Sequence, residues 1–310
     1  MDKAYKRFFD GKKNGRKVGL PGFKKIQKYR SYTLKQAGYK VLDDNSVVIN
    51  GQRYRYFKSR EIEGRIKTLT VKRDAVGDLW LCFCVEVESG NEVLPRLGKK
   101  GGFDFGLTTY LTNNEGKTYA SPRFFKANIR AVRKAHRQLS KKTNPKSHHY
   151  VAAKKDLARL YRRIANQRDA WQWQLAKEIV SEYAFIGLET LNIKAMQRRW
   201  GKKVSDYGFS DFVKKLEYVA RITGSEVVYV DRWFASSQLC SVCGYKNAET
   251  KDLKVRQWTC PMCQTEHDRD TNAAKNILAE ALRQREEYKT DGASSVGGDG
   301  VRPAQAGFCC

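Results

Sequence analysis

No stretch of this 310-residue chain approaches the run of about 18 apolar residues that a membrane-spanning helix needs. The opening "MDKAYKRFFDGKK" has no apolar core of the kind a secretory signal carries. On these absences we expect a cytoplasmic chain. Acid is also scarce, with 33 Asp and Glu against 60 Lys and Arg and a net charge of +27. The shortage is local. Residues 1–40 hold 13 basic side chains and 2 acids, and residues 123–168 hold 15 basic side chains with Asp156 as the single acid. Two solvated helical faces would account for part of this, but excess concentrated in two blocks favours surfaces for a polyanion. Nucleic acid ranks first as that partner and an anionic membrane surface second. The chain is not a disordered polyelectrolyte, because 41% of its residues are hydrophobic, including 16 Tyr, 14 Phe and 6 Trp.

Cysteines number eight, and a reducing cytosol argues against disulfides as their role. Cys82 and Cys84 alternate in "LWLCFCVEVE" and read as small apolar groups on one face of a strand. Cys309 and Cys310 end a Gly/Ser-rich tail and receive no role. The other four form Cys240-x2-Cys243-x16-Cys260-x2-Cys263, the spacing of a zinc ribbon. Four thiolates on two paired knuckles make a closed soft site, normally structural, for one zinc. Gly244 follows the first knuckle, where a tight turn needs positive φ. His267 is left either as a neighbour of that site or as an exposed residue.

Residues 1–38 read as basic helix and loop, the remnant of an N-terminal helical segment. Residues 39–97 read as a small antiparallel β domain, with hairpins turning at Asn50-Gly51 and at Asp74 to Asp78. From 98 to 238 strands alternate with helices, the mark of an α/β layer. A strand carrying Asp104 continues to Leu111, turns at Asn113–Gly116 and returns. A helical hairpin occupies about 126–182. On its first helix Arg130, Arg133, Lys134, Arg137 and Lys141 form a cationic stripe. On its second, Arg159, Arg162 and Arg163 lie off the apolar face marked by Leu157, Leu160, Ile164, Trp171 and Leu175. "YAFIGLETLNI" is a buried strand with Glu189 near its end, and "SDFVKKLEYVARITG" is a helix stopped by Gly224. Residues 239–264 are the ribbon, 265–285 a final helix with its leading acids, and 286–310 a loose tail.

Asp104, Glu189, Asp268 and Asp270 are the acids of interest. A carboxylate in an apolar strand is costly unless a cation offsets it. Three carboxylates around two Mg²⁺ or Mn²⁺ ions about 4 Å apart make a recurring phosphodiester-cleaving site. Taken singly, Asp104 could be a turn residue, Glu189 an ion-pair partner, and Asp268 or Asp270 a helix cap. Asp104-Phe105-Gly106 matches a kinase triplet, but neither a Gly-rich loop with its strand lysine nor an HRD stretch precedes it, which excludes a kinase.

The strings "GFDFGLT", "IGLETLNIKAM" and "YVDRWFASSQLCSVCGYKN…RQWTCPMCQTEHDRDTNAAKNI", with "AYKRFFDGKKNGRKVGLPGFKK" near the start, resemble the TnpB (OrfB) family of bacterial and archaeal insertion sequences. The resemblance implies a RuvC-like nuclease core of ribonuclease H fold, similar to the type V CRISPR effectors, with an inserted helical hairpin and a zinc ribbon before its last motif. A wedge-like β domain precedes it. It implies an RNA-guided DNA endonuclease whose partners are a transposon-encoded guide RNA and a DNA target; it names no protein partner. It implies a place in the prokaryotic cytoplasm, on the nucleoid when DNA is bound. The three catalytic acids map onto Asp104, Glu189 and Asp270. Asp270 is chosen over Asp268 because the family motif reads Asp-x-Asn, here Asp270-Thr271-Asn272, which leaves Asp268 and Asn272 as supporting neighbours. The hairpin cations would meet backbone phosphates of a guide–target duplex. Family members carry more residues before "AYKRFF", so the reading includes a short N-terminus and a rival: a cleavage-incompetent relative that binds guide RNA and DNA as a repressor or relic. A sequence-independent zinc-ribbon binder is a third reading, which explains the charge but not the spaced acids.

Overall fold

Paired glycines decide how the larger part of this chain packs. In the computed structural model, which describes residues 2–22, 25, 28–35, 37–86, 97–252 and 254–294, the chain forms two compact units that part at residues 89–90. Cys309, Cys310 and the tail from 295 onward lie outside the described residues, as does 87–96 at the end of the expected β domain.

The first unit opens with helix α1 (Asp2–Lys13). Six strands follow: β1 (Ser31–Lys35), β2 (Tyr39–Leu42), β3 (Ser46–Ile49), β4 (Gln52–Arg55), β5 (Arg65–Arg73) and β6 (Leu79–Glu86). They form two antiparallel sheets, β1-β5-β6 and β2-β3-β4. Val47 and Ile49 of one sheet pack with Leu69 and Val71 of the other. Both expected turns are present. Asn50 (φ 50°) and Gly51 (φ 81°) are both left-handed, as a two-residue hairpin loop requires. The Asp74 carboxylate accepts from the backbone N–H groups of Val76, Gly77 and Asp78, each at 2.9 Å. The sheet begins earlier than expected. Ser31–Lys35, within the stretch read as helix and loop, pairs with β5, and the Thr33 and Thr70 hydroxyls meet at 2.8 Å. The basic composition of this segment masks a strand whose partner lies far along the chain.

The second unit centres on a five-stranded sheet. Its strands are β7 (Lys99–Phe105), β8 (Leu111–Asn113), β9 (Thr118–Tyr119), β10 (Tyr183–Glu189) and β11 (Glu226–Val230), in the order β11-β10-β7-β8-β9. Strands β7, β10 and β11 run parallel, and β8 and β9 return antiparallel. The strand of Asp104 therefore does not continue to Leu111. It ends at Phe105 and reverses, with the Gly106 N–H bonded to the Tyr110 carbonyl and Leu111 paired back onto Phe105. A Cβ at Gly106 would sit 2.5 Å from the Thr109 carbonyl oxygen, so this reversal needs a residue without a side chain.

Between β9 and β10 come α2 (Phe124–Ala127), α3 (Ile129–Ser140) and the 35-residue α4 (His148–Glu182), which form the expected helical hairpin. Ser147 caps α4 by accepting from the Tyr150 N–H. Helix α5 (Ile193–Tyr207) is kinked at Trp200. It has no counterpart in the expectation, because its run of basic residues around Gly201 gives a weak helical pattern. Helix α6 (Phe209–Thr223) ends at Gly224 with φ 78°, as expected. Helices α4, α5 and α6 cover one face of the sheet around Phe103, Phe105, Tyr110, Ile186 and Leu188. Two short strands, β12 (Gln257–Thr259) and β13 (Glu266–Asp268), form the ribbon hairpin, which thus extends past 264. Helix α7 (Arg269–Ser294) follows. It continues through residues assigned to a loose tail, and Arg283 pairs with Glu280 and Glu287 along it.

Helix α7 covers the other face, where Ile277 and Ala281 pack with Phe185 and Val230. Gly102 of β7 and Gly187 of β10 are register partners. A Cβ at Gly102 would stand 2.2 Å from the Ala274 carbonyl oxygen and 2.6 Å from the Leu278 nitrogen, and one at Gly187 would stand 3.0 Å from the Ala281 Cβ. The helix backbone rests directly on the sheet. Gly102→Ala forces the helix outward and costs about 1–3 kcal/mol or more, read as a lowered Tm. Gly201→Ala, whose added methyl meets nothing within 4 Å, leaves Tm unchanged or raised.

Candidate active site and cysteine knuckles

Strand alternation sets the direction of the first two acids. Gly102 faces α7, so Asp104, two residues on, faces the same side; Gly187 and Glu189 repeat this on β10. Phe103 pairs with Leu188 in parallel register, which brings Asp104 and Glu189 to adjacent positions one step further along. The Glu189 carboxylate accepts from the Phe105 backbone N–H. Asp270 arrives from the first turn of α7, on the face that rests on the same two strands.

The electrostatics show the three acids as neighbours. Asp104 is held well above the usual carboxylate range, first by burial, then by the charges of Glu189 and Asp270, against the opposing pull of Arg269 and Arg256. Burial pushes Glu189 up to about 7 despite its hydrogen bond from Phe105. Asp270 faces a cation: Arg256 Nη1 lies 3.2 Å from each of its carboxylate oxygens, and Arg256 Nη2 reaches Thr108 Oγ1 at 3.3 Å. Arg256 was not among the sequence-derived candidates. It sits in the ribbon, one residue before β12, and its carbonyl accepts from the Arg269 N–H at 2.8 Å. Its only sequence signal is a position that the ribbon hairpin folds back beside the Asp-x-Asn motif.

The two residues expected to support Asp270 do other work. Asp268 is exposed and caps α7, accepting from the Thr271 N–H at 2.9 Å and its hydroxyl at 2.8 Å. Asn272 is buried and turned toward the first knuckle; its amide accepts from the Ser241 N–H at 2.9 Å and donates to the Leu239 carbonyl at 2.6 Å. Asn276, one turn later, donates to the Ser236 and Leu239 carbonyls at 2.7 Å each. Asn272 and Asn276 were legible as an i, i+4 pair but not as a clamp.

The knuckles themselves are near-copies. Gly244 (φ 77°) and Gln264 (φ 57°) take the left-handed turn after each pair, and their N–H groups bond the Cys240 and Cys260 carbonyls at 2.9 Å. The four sulfurs lie within 4.8 Å of one another, with Cys240 to Cys263 and Cys243 to Cys260 both at 3.6 Å. A Tyr245 N–H favours the Cys243 thiolate, but burial and the other three sulfurs push that thiol up to about 12; Thr265 draws Cys263 down to about 6. Four thiolates this close need a cation between them, and the donor set can hold one zinc. His267 is not exposed. It is buried, stacks on Trp258 at 4.7 Å and places Nε2 3.1 Å from the Cys240 sulfur.

Of the expected nucleic-acid contacts, Arg130, Arg133, Lys134 and Arg137 are exposed on α3 and line an open groove with His136; Lys141 is exposed at the C-cap. On α4, Arg159 and Arg163 are exposed, Arg159 pairing with Asp156 at 2.8 Å, and Arg162 is half-buried.

Residues 82–199 match a family model described as "Probable transposase" (OrfB_IS605), and residues 209–277 match one described as "Cas12f1-like, TNB domain". A Streptomyces pristinaespiralis protein named "Putative RNA-guided DNA endonuclease" is 32% identical over 76% of this chain and 56% of its own length. Its Escherichia coli K12 counterpart InsQ is 26% identical over 90% of this chain and 71% of its own length. "TnpB-like protein L79" of Acanthamoeba polyphaga mimivirus is 25% identical over 70% of this chain and 44% of its own length. The chain thus spans little more than half of the Streptomyces relative. A solved CRISPR-Cas12f ternary complex superposes with a TM-score of 0.44 at 21% identity, covering 69% of this chain and 45% of that one. No helix among the described residues is long and apolar enough to cross a membrane.

The raised Asp104 pKa has a stability consequence. A raised carboxyl favours folding in its neutral form, so its contribution is complete below the unfolded value and is lost as pH rises through the folded value. In zinc-loaded, magnesium-free protein, Asp104→Asn melts above the parent at pH 8. The two Tm values converge as pH falls toward about 4, the ordinary Asp value.

Proposed function

We infer the function from the premise that this chain belongs to the TnpB (OrfB) family of insertion-sequence proteins. Our reading is an RNA-guided DNA endonuclease whose second unit is a RuvC-like core of ribonuclease H fold. One observation carries it: three acids from β7, β10 and α7 share one pole of the sheet, close enough that Glu189 and Asp270 raise Asp104. A polar surface site would not hold them there; a site for hard cations would.

Asp104, Glu189 and Asp270 would hold the two catalytic ions. When bound, Mg²⁺ or Mn²⁺ would supply Lewis acidity and neutralise the charge that builds on the scissile phosphate. Water adds to phosphorus and the P–O3′ bond breaks, leaving a 3′-hydroxyl and a 5′-phosphate. The chain's own parts prepare this. The glycine seat fixes the three carboxylates on a rigid sheet and helix. Arg256 balances Asp270 and presents its remaining N–H groups at the same pole. Cys240, Cys243, Cys260 and Cys263 would bind one structural zinc, kept from the catalytic acids by the preference of sulfur for softer metal. The cations of α3 and α4, Arg130, Arg133, Lys134, Arg137, Lys141, Arg159, Arg162 and Arg163, would meet phosphates of the guide–target duplex. The β-rich first unit would serve as a wedge for a transposon-encoded guide RNA, in a prokaryotic cytoplasm and on the nucleoid when DNA is bound.

The protein is co-expressed with the RNA flanking its element and incubated with plasmid carrying a matching target. We expect cleavage with Mg²⁺ or Mn²⁺, none with Ca²⁺, and none in Asp104→Ala, Glu189→Ala or Asp270→Ala. Salt-sensitive binding without cleavage by the parent would instead establish the non-cutting relative.

Metal analysis separates the two centres. The parent carries one zinc per chain. Asp104→Ala retains it and does not cut; Cys260→Ser loses it and also stops cutting, because Arg256 and the α7 N-terminus lose their brace. A Cys260→Ser variant with full cleavage would show that the ribbon has no part in holding the site.

A further inference from the structure

Three cations outside the duplex-facing stripes converge beside the acids, and the function proposed above gives them no role. Arg123 occupies the N-cap of α2 with φ 51°, a left-handed conformation that a branched or long side chain rarely takes. Its guanidinium lies 5.9 Å from the Tyr207 ring centroid. Lys126 is in the first turn of α2, where the Asp206 carboxylate accepts from the Phe125 and Lys126 N–H groups at 2.8 and 3.0 Å. Lys203 stands three and four residues before Asp206 and Tyr207, on the same face of α5. The Tyr207 hydroxyl donates to the Leu107 carbonyl at 2.9 Å, and the next residue, Thr108, is the one Arg256 reaches. A continuous set of contacts thus joins this cluster to Arg256 and Asp270.

The cluster is organised for an anion. Asp206 is the single acid of α5, and its two oxygens are committed to backbone N–H groups. Lys203 is half-buried, and burial together with Arg123, Lys126 and Arg256 holds it below the ordinary lysine range. Like charges gathered this way oppose folding unless a ligand offsets them. A strained backbone at Arg123 adds to that cost, where glycine would relieve it.

We propose that Arg123, Lys126 and Lys203 form the seat for a backbone phosphate of the DNA strand being cut, next to the phosphate held at Asp104, Glu189 and Asp270. The three are positioning residues: they set the strand's register at the acids and touch no reacting atom. This rests on the nuclease reading above.

The test uses the full, zinc-loaded chain, a fluorescein-labelled single-stranded DNA 20-mer, and Ca²⁺ in place of Mg²⁺, with anisotropy followed against salt. Lys126→Ala/Lys203→Ala should weaken binding and flatten the dependence of log K on log salt by about 1.4, from ~0.7 per lost phosphate contact on a single strand. Arg123→Gly should raise Tm, by relieving the left-handed residue, and yet weaken binding and flatten the slope by about 0.7. A merely structural arginine would not separate stability from affinity in this way. Parent-like affinity and salt slope in both variants would overturn the seat. So would an Arg123→Gly variant that melts lower and binds as the parent does. Weakened variants of a parent that never cuts with Mg²⁺ would sink the nuclease reading and leave the seat standing. A cutting parent whose variants bind and cut unchanged would do the reverse.

Discussion

The contact on which the larger unit depends is the one that needs no side chain. Gly102 and Gly187 face each other across β7 and β10, and the backbone of α7 lies in the slot they leave. Helix and sheet normally keep their backbones apart by the thickness of two side-chain layers. Here the helix is drawn in until Ala274 and Leu278 meet β7 directly. That depth places the N-terminus of α7, with Asp270 in its first turn, at the pole of the sheet to which Asp104 and Glu189 point. Larger residues at either glycine would lift the helix and carry Asp270 away while leaving every residue of the acid trio unchanged.

The same helix organises the ribbon. Asn272 and Asn276 leave its flank one turn apart and take up the carbonyls and amide of residues 236–241, just where the first knuckle starts. The ribbon then returns Arg256 to Asp270. So α7 holds the knuckle, the knuckle holds the hairpin, and the hairpin supplies the cation that balances an acid of α7. In a chain of net charge +27, three acids raised by burial and mutual repulsion are a local inversion of the overall field. Arg256 and Arg269 temper that inversion; their charges lower Asp104 while burial and its neighbours raise it.

Much of this was legible where the signal is local. The Asn50-Gly51 hairpin, the Asp74 to Asp78 turn, the buried strand ending in Glu189, the Gly224 stop and the two CxxC knuckles each depend on residues adjacent in sequence, and each stands where its residues imply. The exceptions are non-local. Strand β1 exists because β5 is there to pair with it. Helix α5 has a broken pattern and is completed by the Tyr207 contact to Leu107 and by Asp206 capping α2. The reversal after Phe105 was hidden because "GLTTYL" carries strand-forming residues on both sides of the turn. Asp268 and Asp270 show the limit most clearly. Both precede a helix and either could cap it, and only the folded register decides that Asp268 bonds Thr271 while Asp270 turns to Arg256.

The position of the ribbon then has a physical explanation. Its own apolar core is small, little more than Trp258, Val255 and the cysteines themselves, too little to order a segment of this length by burial alone. Stability must come from the sulfur centre and from the asparagine clamp. A segment ordered in that way is either fully formed or not formed, since removing one sulfur ligand leaves the others without a reason to converge. Placing it between β11 and α7 makes the last acid and its arginine part of the same all-or-none unit. On the reading proposed here, the metal that performs no chemistry decides whether the metals that would perform it have a complete site to enter.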